Sequence, residues 1–375
     1  MNDQTSLPHR SGTSGAPTAA ASRATRVPMR AMSAFIADVL GAEGLPAADA
    51  QTVARLMTEA DLTGADAHGI FRLPQYVRRL RAGGINKSPD IRVDKTAAAT
   101  ALVDGDNGMG HLVVSRAAET ALALARDSGI GWVGIRRSNH AGTAGLYAAM
   151  PVEHGMIGLY AAVANANHMA IWGGNELLLG TNPLGIGVPS GDGPLVLDMA
   201  TTVVSYGTVK KYALQGLDMP EGWFINAKTG EPLTDPRRSA EGLLLPIGGY
   251  KGSGLAIMLG LLAGVLNGAA FGRDVVDFNA DDRSETNTGQ FMAAIDIARF
   301  TPLATFTSEV DRHMRDLHTS RRLPGVDAIR LPGERRRQCR EERARDGIPL
   351  APALLSQLDG LADQIGVTRL GERRA

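Results

Sequence analysis

The sequence predicts a mixed α/β protein: a central sheet flanked by helices, with the helical ends of the chain packed together as one layer. Two observations carry this expectation. In the middle of the chain, short apolar runs of strand length alternate with stretches whose apolar residues recur every three or four positions. Toward both ends, over residues 29–81 and 303–364, the helical period dominates.

Taken in order, residues 29–40 and 47–62 read as two helices joined by a turn at 41–46, and 71–81 as a third that stops at Gly83-Gly84. Residues 98–103 read as a strand ending in the glycine loop 104–110. A helix over 113–127 and a strand over 131–135 follow. After His140 come a helix over 144–153 and a strand over 156–163. Residues 184–188 and 195–199 add short strands, 204–213 a helix, and 219–236 a turn-rich loop. The apolar stretch 255–266 reads as a buried helix, too short to span a membrane, and 279–289 as a polar surface loop. The expected organisation is a tail over 1–28, a helical part over 29–100, a central α/β part over 101–300, and a C-terminal helical part over 301–375 that packs on the N-terminal one.

Composition excludes several functions. Lys+Arg and Asp+Glu number 39 each among 375 residues, so no global field gathers nucleic acid or an anionic membrane. The apolar fraction of 44% and charged fraction of 21% are those of an ordinary globular chain. A single cysteine, Cys339, rules out an internal disulfide and a multi-thiolate metal site, which fits a cytoplasmic location. Residues 1–28 are rich in Ser, Thr, Ala and Pro and read as a disordered tail. A transit peptide competes, since Asp3 is the only acid there, but no amphipathic stripe supports it.

The most informative stretch is residues 136–148, RRSNHAGTAGLYA. It sets His140 in the turn between a strand and a glycine-opened helix, where an imidazole for acid/base work and backbone N–H groups for a phosphate lie close together. Gly129, Gly131 and Gly134 match the dinucleotide fingerprint by letter, but they follow a helix and open a strand, the reverse of what the fingerprint needs. Gly129 is better read as the residue just past a helix end. The run from Gly248 to Gly254 lacks the Gly-Lys-Ser/Thr order of a P-loop and leaves Lys251 in a turn that either holds an anion or simply turns. His68, Arg72 and Tyr76 share one side if their segment is helical, and Arg72 is suited to fork a carboxylate. Asp198 at a strand end either takes a ribose hydroxyl or caps the next helix. The histidines offer no metal-ligand spacing, so no metal is expected, and residues 335–346 read as a salt-bridged surface helix.

Together these segments resemble the malate/L-lactate dehydrogenase family that lacks a Rossmann fold and includes ureidoglycolate and sulfolactate dehydrogenases and the reductases of cyclic imines. The matching blocks are Ala67-His68-Gly69 with Arg72-Leu73-Pro74-Gln75-Tyr76; Ser138-Asn139-His140; Gly180-Thr181-Asn182-Pro183; Leu197-Asp198-Met199-Ala200-Thr201; Pro220 to Trp223; Gly248 to Gly252; and Arg330-Leu331-Pro332-Gly333-Glu334. They keep the family's order over roughly residues 30–350.

The resemblance implies a non-Rossmann NAD(P)-binding α/β domain beside a helical layer, in a homodimer, acting on a small carboxylate with NAD or NADP. His140 then matches the proton-transfer histidine, with Arg72 and His68 beside it as catalytic residues. Arg72, Tyr76 and Lys251 are the candidates for substrate binding. His68, Gly142, Thr143, Ala144, Thr181, Asn182, Asp198, Met199, Ala200, Thr201, Thr202, Leu331, Pro332, Gly333 and Glu334 are the candidates for cofactor contact. Ala67 departs from the family's usual Ser, which puts the substrate's identity in question. The expected reaction is hydride transfer between nicotinamide and a 2-hydroxy or 2-oxo acid. The alternatives are reduction of a cyclic imino acid such as piperideine- or pyrroline-2-carboxylate, and a catalytically silent cofactor-binding protein.

Overall fold

The structure, a computed structural model, describes residues 24–373. Strand β1 (Thr25–Val27) leads into helices α1 (Met29–Ala42), α2 (Ala47–Leu62) and α3 (Leu73–Ala82). Strands β2 (Arg92–Ala97) and β3 (Thr100–Asp104), helix α4 (Gly110–Ser128) and strand β4 (Ile130–Ser138) follow. Beyond His140 come α5 (Ala144–Ala149), β5 (Met156–Ala162), β6 (Leu184–Val188), β7 (Leu195–Met199), α6 (Tyr206–Gln215), β8 (Phe224–Asn226) and β9 (Gly242–Leu244). The chain closes with α7 (Tyr250–Ala263), β10 (Thr288–Asp296), α8 (Leu303–His318), α9 (Glu334–Asp346), β11 (Ile348–Leu350) and α10 (Pro352–Ile365).

Seven strands form the central sheet in the order β2-β3-β4-β10-β5-β6-β7, and only β3 and β4 run parallel. One parallel pair gives no doubly wound sheet, so a ligand cannot sit at the switch point of a Rossmann fold. Gly129 confirms this locally. Its φ of 82° and its N–H donated to the Ala125 carbonyl make it the left-handed residue that ends α4.

The sheet's residues are hydrophobic on both faces because helices cover both. Val133, Ile135 and Met292 pack with Val113, Ala117 and Ala121 of α4 and with Ala144, Tyr147 and Ala148 of α5. On the other side Phe291 and Ala161 meet Leu259 and Ala263 of α7. The two ends of the chain share a third core. Phe35, Ile36, Met57 and Leu73 pack with Ile348, Leu350, Leu358 and Ala362, and β1 pairs antiparallel with β11. Thr25–Val27, inside the stretch read as a tail, is therefore a strand; residues 1–23 lie outside the described residues.

Several elements differ from expectation for identifiable reasons. The central strand β10 was missed because its buried run, flanked by glycine and polar residues, alternates on neither period. The helix after His140 ends at Ala149 because Pro151 cannot continue it, and a 3-10 turn over Pro151–His154 takes its place. Helix α7 is buried on one side only: Tyr250 is 65%, Met258 56% and Leu261 38% exposed. With the turn after it, the 18-residue stretch Tyr250–Asn267 is long and apolar enough to cross a membrane. The helix proper ends at Ala263, however, and packs on β5 and β10 as a core helix does.

Candidate active site

His140 follows the end of β4 through a backbone that only a dense hydrogen-bond network holds. Asp106, Asn107, Arg137 and Asn287 all have φ between 40° and 56°, a left-handed region that costs a non-glycine residue energy. They are tied to one another: the Asn107 N–H donates to the Arg137 carbonyl at 2.8 Å, and the Arg137 N–H to Asn287 Oδ1 at 2.8 Å. Buried Asn139 binds the same turn. Its amide donates to the Asn107 carbonyl and side chain and to the Gly108 carbonyl at 2.9–3.1 Å, and its Oδ1 accepts from Thr286. Gly110 is required below it, because a Cβ there would run into the Asn139 carbonyl.

The imidazole so placed lies between two rings. His68 stacks on it at 5.7 Å with an interplanar angle of 11°, and Phe278 at 5.1 Å and 14°. Phe278 sits on the segment before β10, which Arg79 pins. That guanidinium is 0% exposed and donates to the carbonyls of Gly84, Asp281 and Ser284. The Tyr76 hydroxyl lies 2.6 Å from His140 Nδ1, so Nε2 is the nitrogen left to meet a ligand.

Burial sets the protonation of this cluster. It holds His140 well below the ordinary imidazole range, with Arg72, His68 and His111 adding to the effect. His68 is lowered to about 4 by burial and Arg72, and His111 to about 3 by burial and His68. Burial raises Tyr76, which keeps its phenol protonated. All three imidazoles are neutral near pH 7.

Two adjoining cavities meet here. The smaller, of about 110 Å³, is lined by His140, His68, Arg72, Asn165, Lys210 and Phe278 among others. Arg72 is aimed by its Nε, which donates to the Ala67 carbonyl at 2.9 Å, and by contacts to Gln75 and Asn279. The backbone of Ala67 therefore does this orienting without a side-chain hydroxyl. The larger cavity, of about 570 Å³, runs past Gly142, Thr143, Ala144, Thr181, Asp198, Met199, Ala200, Thr202, Lys211 and Arg336. His68, Gly142 and Thr181 belong to both walls.

The larger cavity has the chemistry a dinucleotide needs. Gly142, at φ 84°, brings the backbone close, and Lys211 and Arg336 supply cations for a diphosphate. Asp198 is held by the Thr143 hydroxyl and by Arg336 at 3.2 Å. Helix α5 has only 6 residues, so its dipole adds little to the positive charge that Lys211 and Arg336 place on this wall.

The other expected residues fall outside the cavity walls. Lys251 is exposed at the start of α7 and lines neither cavity. Tyr76 sits behind His140, 1% exposed. Asn182, 0% exposed, is bonded to the Ala164 N–H and the Ala256 carbonyl, and Thr201 to the Thr181 carbonyl. Leu331, Pro332, Gly333 and Glu334 form the turn before α9: Pro332 accepts from the Val196 N–H and Glu334 from the Leu331 N–H, and Arg336 two residues on reaches the cavity. Sequence reasoning missed Lys210, Lys211, Arg336 and Phe278, since nothing in the pattern of α6 or α9 separates these cations from their solvated neighbours.

A family model described as malate/L-lactate dehydrogenase matches residues 27–359. The malate dehydrogenase of Pyrococcus horikoshii is 38% identical over 353 residues, 92% of this chain and 97% of that protein. The L-sulfolactate dehydrogenase of Methanothermobacter thermautotrophicus is 36% identical, covering 89% of this chain and 95% of its own. The solved structure of the Pyrococcus horikoshii enzyme superposes with a TM-score of 0.85 at 36% identity, covering 92% of this chain and 97% of that one.

Proposed function

The chain belongs to the malate/L-lactate dehydrogenase family, and on that premise we propose that His140 is its proton-transfer residue and Arg72 its carboxylate anchor. The protein is an NAD(P)-dependent dehydrogenase that moves a hydride between nicotinamide and a small 2-hydroxy or 2-oxo acid. The observation that carries the residue assignment is the meeting of His140 and Arg72 in one small cavity whose wall is shared with the larger, cation-lined one.

Bound in the larger cavity, NAD(P) would supply or accept the hydride. Gly142, Thr143, Asp198, Lys211 and Arg336 are the residues that would hold it. Arg72 forks the substrate carboxylate and so orients the reacting carbon. With Tyr76 accepting from Nδ1–H, neutral His140 takes the proton of a 2-hydroxyl at Nε2 as the hydride leaves, and the imidazolium so formed returns that proton to the 2-oxo group in the reverse direction. The stacked rings of His68 and Phe278 exclude water from the imidazole faces. A spectrophotometric panel with NADH and NADPH tests this reading: a 2-oxo acid is turned over. Turnover of piperideine-2-carboxylate alone would reassign the substrate to C=N, and binding without any turnover would refute the His140 assignment.

We place the working protein in a homodimer, on the apolar face that α7 and its following turn expose, where Tyr250, Met258, Val265 and Leu266 are all more than half exposed. Light scattering is expected to give twice the chain mass of 39.4 kDa, and a monomeric mass would refute it.

A further inference from the structure

The polar network that holds the His140 turn is closed by hydrogen bonds except at one atom. Thr288 accepts from the Asn165 amide and donates to Thr286, which in turn bonds the Ser138 carbonyl and Asn139 Oδ1. Gln290, on the central strand β10 and 1% exposed, completes the network: its Nε2 donates to the Asn139 carbonyl at 3.1 Å. A carbonyl only accepts, so the Gln290 amide cannot be turned over, and its Oε1 is left with no hydrogen-bond partner. Among the described residues, seven buried side-chain polar atoms lack a partner, and Gln290 is the only one of their residues on the wall of the small cavity.

A buried acceptor without a donor is costly, so such an atom on a cavity wall calls for a ligand that donates. Tyr160 does not serve. It lies two residues along β5 from the Ala162 that Gln290 faces, and burial raises its phenol while the Gln290 amide acts against that, yet Oε1 takes no hydrogen bond from it. Few of the groups that the reaction brings here can donate. A carboxylate and a 2-oxo group only accept, and the one proton of a 2-hydroxyl goes to His140 Nε2. A nicotinamide carboxamide carries N–H donors and keeps them in both the oxidised and the reduced cofactor. His68, Gly142 and Thr181 are walls common to both cavities, so a dinucleotide beside Lys211 and Arg336 has the small cavity next to it for its nicotinamide end.

Resting on the proposed roles of His140 and of the two cavities, we infer that Gln290 Oε1 is the acceptor for the nicotinamide carboxamide N–H. Its Nε2 stays on the Asn139 carbonyl, one residue before His140. A single side chain therefore ties the nicotinamide ring to the turn that carries the imidazole. Gln290 is a binding and positioning residue: it sets how the ring lies, while Lys211 and Arg336 meet the diphosphate.

The test is a calorimetric comparison of NADH with reduced 3-acetylpyridine adenine dinucleotide, in which a methyl ketone replaces the carboxamide: the carbonyl stays and the N–H donors go. If the chain takes NADPH, the 2′-phosphorylated forms of both are used. Binding is measured without substrate, so the different redox potential of the analogue does not enter. The wild type should bind the analogue about 10- to 100-fold more weakly, because Oε1 is then buried against a methyl group. In Gln290→Met, which keeps the length of the side chain without the acceptor, the two should bind within about threefold of each other. Loss of the bond to the Asn139 carbonyl acts on both ligands alike, so the ratio reports Oε1, and a thermal melt shows that the variant is folded. The wild-type ratio decides even where the variant does not fold. Equal affinities in the wild type, or an unchanged ratio in folded Gln290→Met, overturn the carboxamide assignment and give Oε1 to a water or to the substrate. They leave the His140 assignment standing, since turnover of 2-oxo acids tests that separately. Failure of both dinucleotides to bind overturns both.

Discussion

Replacing His140 with Ala is expected to cut turnover by about 10²- to 10⁴-fold while dinucleotide binding survives. The reason is geometric. Nδ1 is committed to Tyr76, so the ring has one free nitrogen, and no other side chain on the small cavity is an equivalent acid or base. His68 and His168 are neutral too, but among the described residues neither imidazole has a hydrogen-bond partner like the Tyr76 hydroxyl that fixes His140. Ala also leaves a gap between His68 and Phe278, so His140→Gln serves as the control that keeps most of the volume and still removes the acid/base function. Steady-state kcat and fluorescence titration with reduced cofactor separate the two effects. A His140→Gln enzyme with near-normal turnover would refute the assignment.

Acidification should destabilise the unliganded protein steeply below pH 6.5. His68, His111, His140 and His168 are all held neutral by burial in the native state, with lowered values of about 4, 3 and 4 for His68, His111 and His168. In the unfolded chain each titrates near 6.5. Between those limits the unfolded state binds more protons, so stability is full above pH 6.5 and is lost as pH falls toward 4. Each histidine contributes about 1.4 kcal/mol per pH unit in that window, and together they amount to on the order of 8 kcal/mol between pH 6.5 and pH 5. That is comparable with the whole stability of many domains. Buried Asp61 works the other way, because its raised value lets the native state take up a proton first, but it is one group against four. Urea midpoints at pH 7 and pH 5 measure the balance. A midpoint that holds or rises on acidification would mean that these histidines are charged in the native protein.

Much of the architecture was legible where one physical cause decided the local structure. The helix Ala47–Leu62 and the strands Leu184–Val188 and Leu195–Met199 appear at the predicted bounds, because their patterns are strong and turn residues flank them. Gly129 was read as a helix end from order alone, and its positive φ bears that out. The strand β10 was not legible, since a central strand covered on both faces need not alternate. The candidate site shows the same division. His140, His68 and Arg72 carry chemistry in their side chains and stand in recognisable blocks. Lys210 and Arg336 are ordinary helix-surface cations in the sequence, and only tertiary packing turns them toward a cavity. Phe278 acts through its position against an imidazole brought from residue 140, which no local pattern encodes.

The pairing of β1 with β11 joins residues 25–27 to 348–350, and the core beneath it mixes Phe35 and Met57 with Leu358 and Ala362. On the ribosome, the first helices emerge long before the segments that cover them. They must wait, with their apolar faces open, until β11, more than 300 residues after β1, has been made. The terminal layer, which carries His68, Arg72 and Tyr76, is thus among the last parts to settle although it is the first synthesised. On that account catalytic competence comes late in the life of each molecule, and a nascent chain halted before β11 would carry His140, the proposed proton-transfer residue, without the completed layer that holds Tyr76 against it.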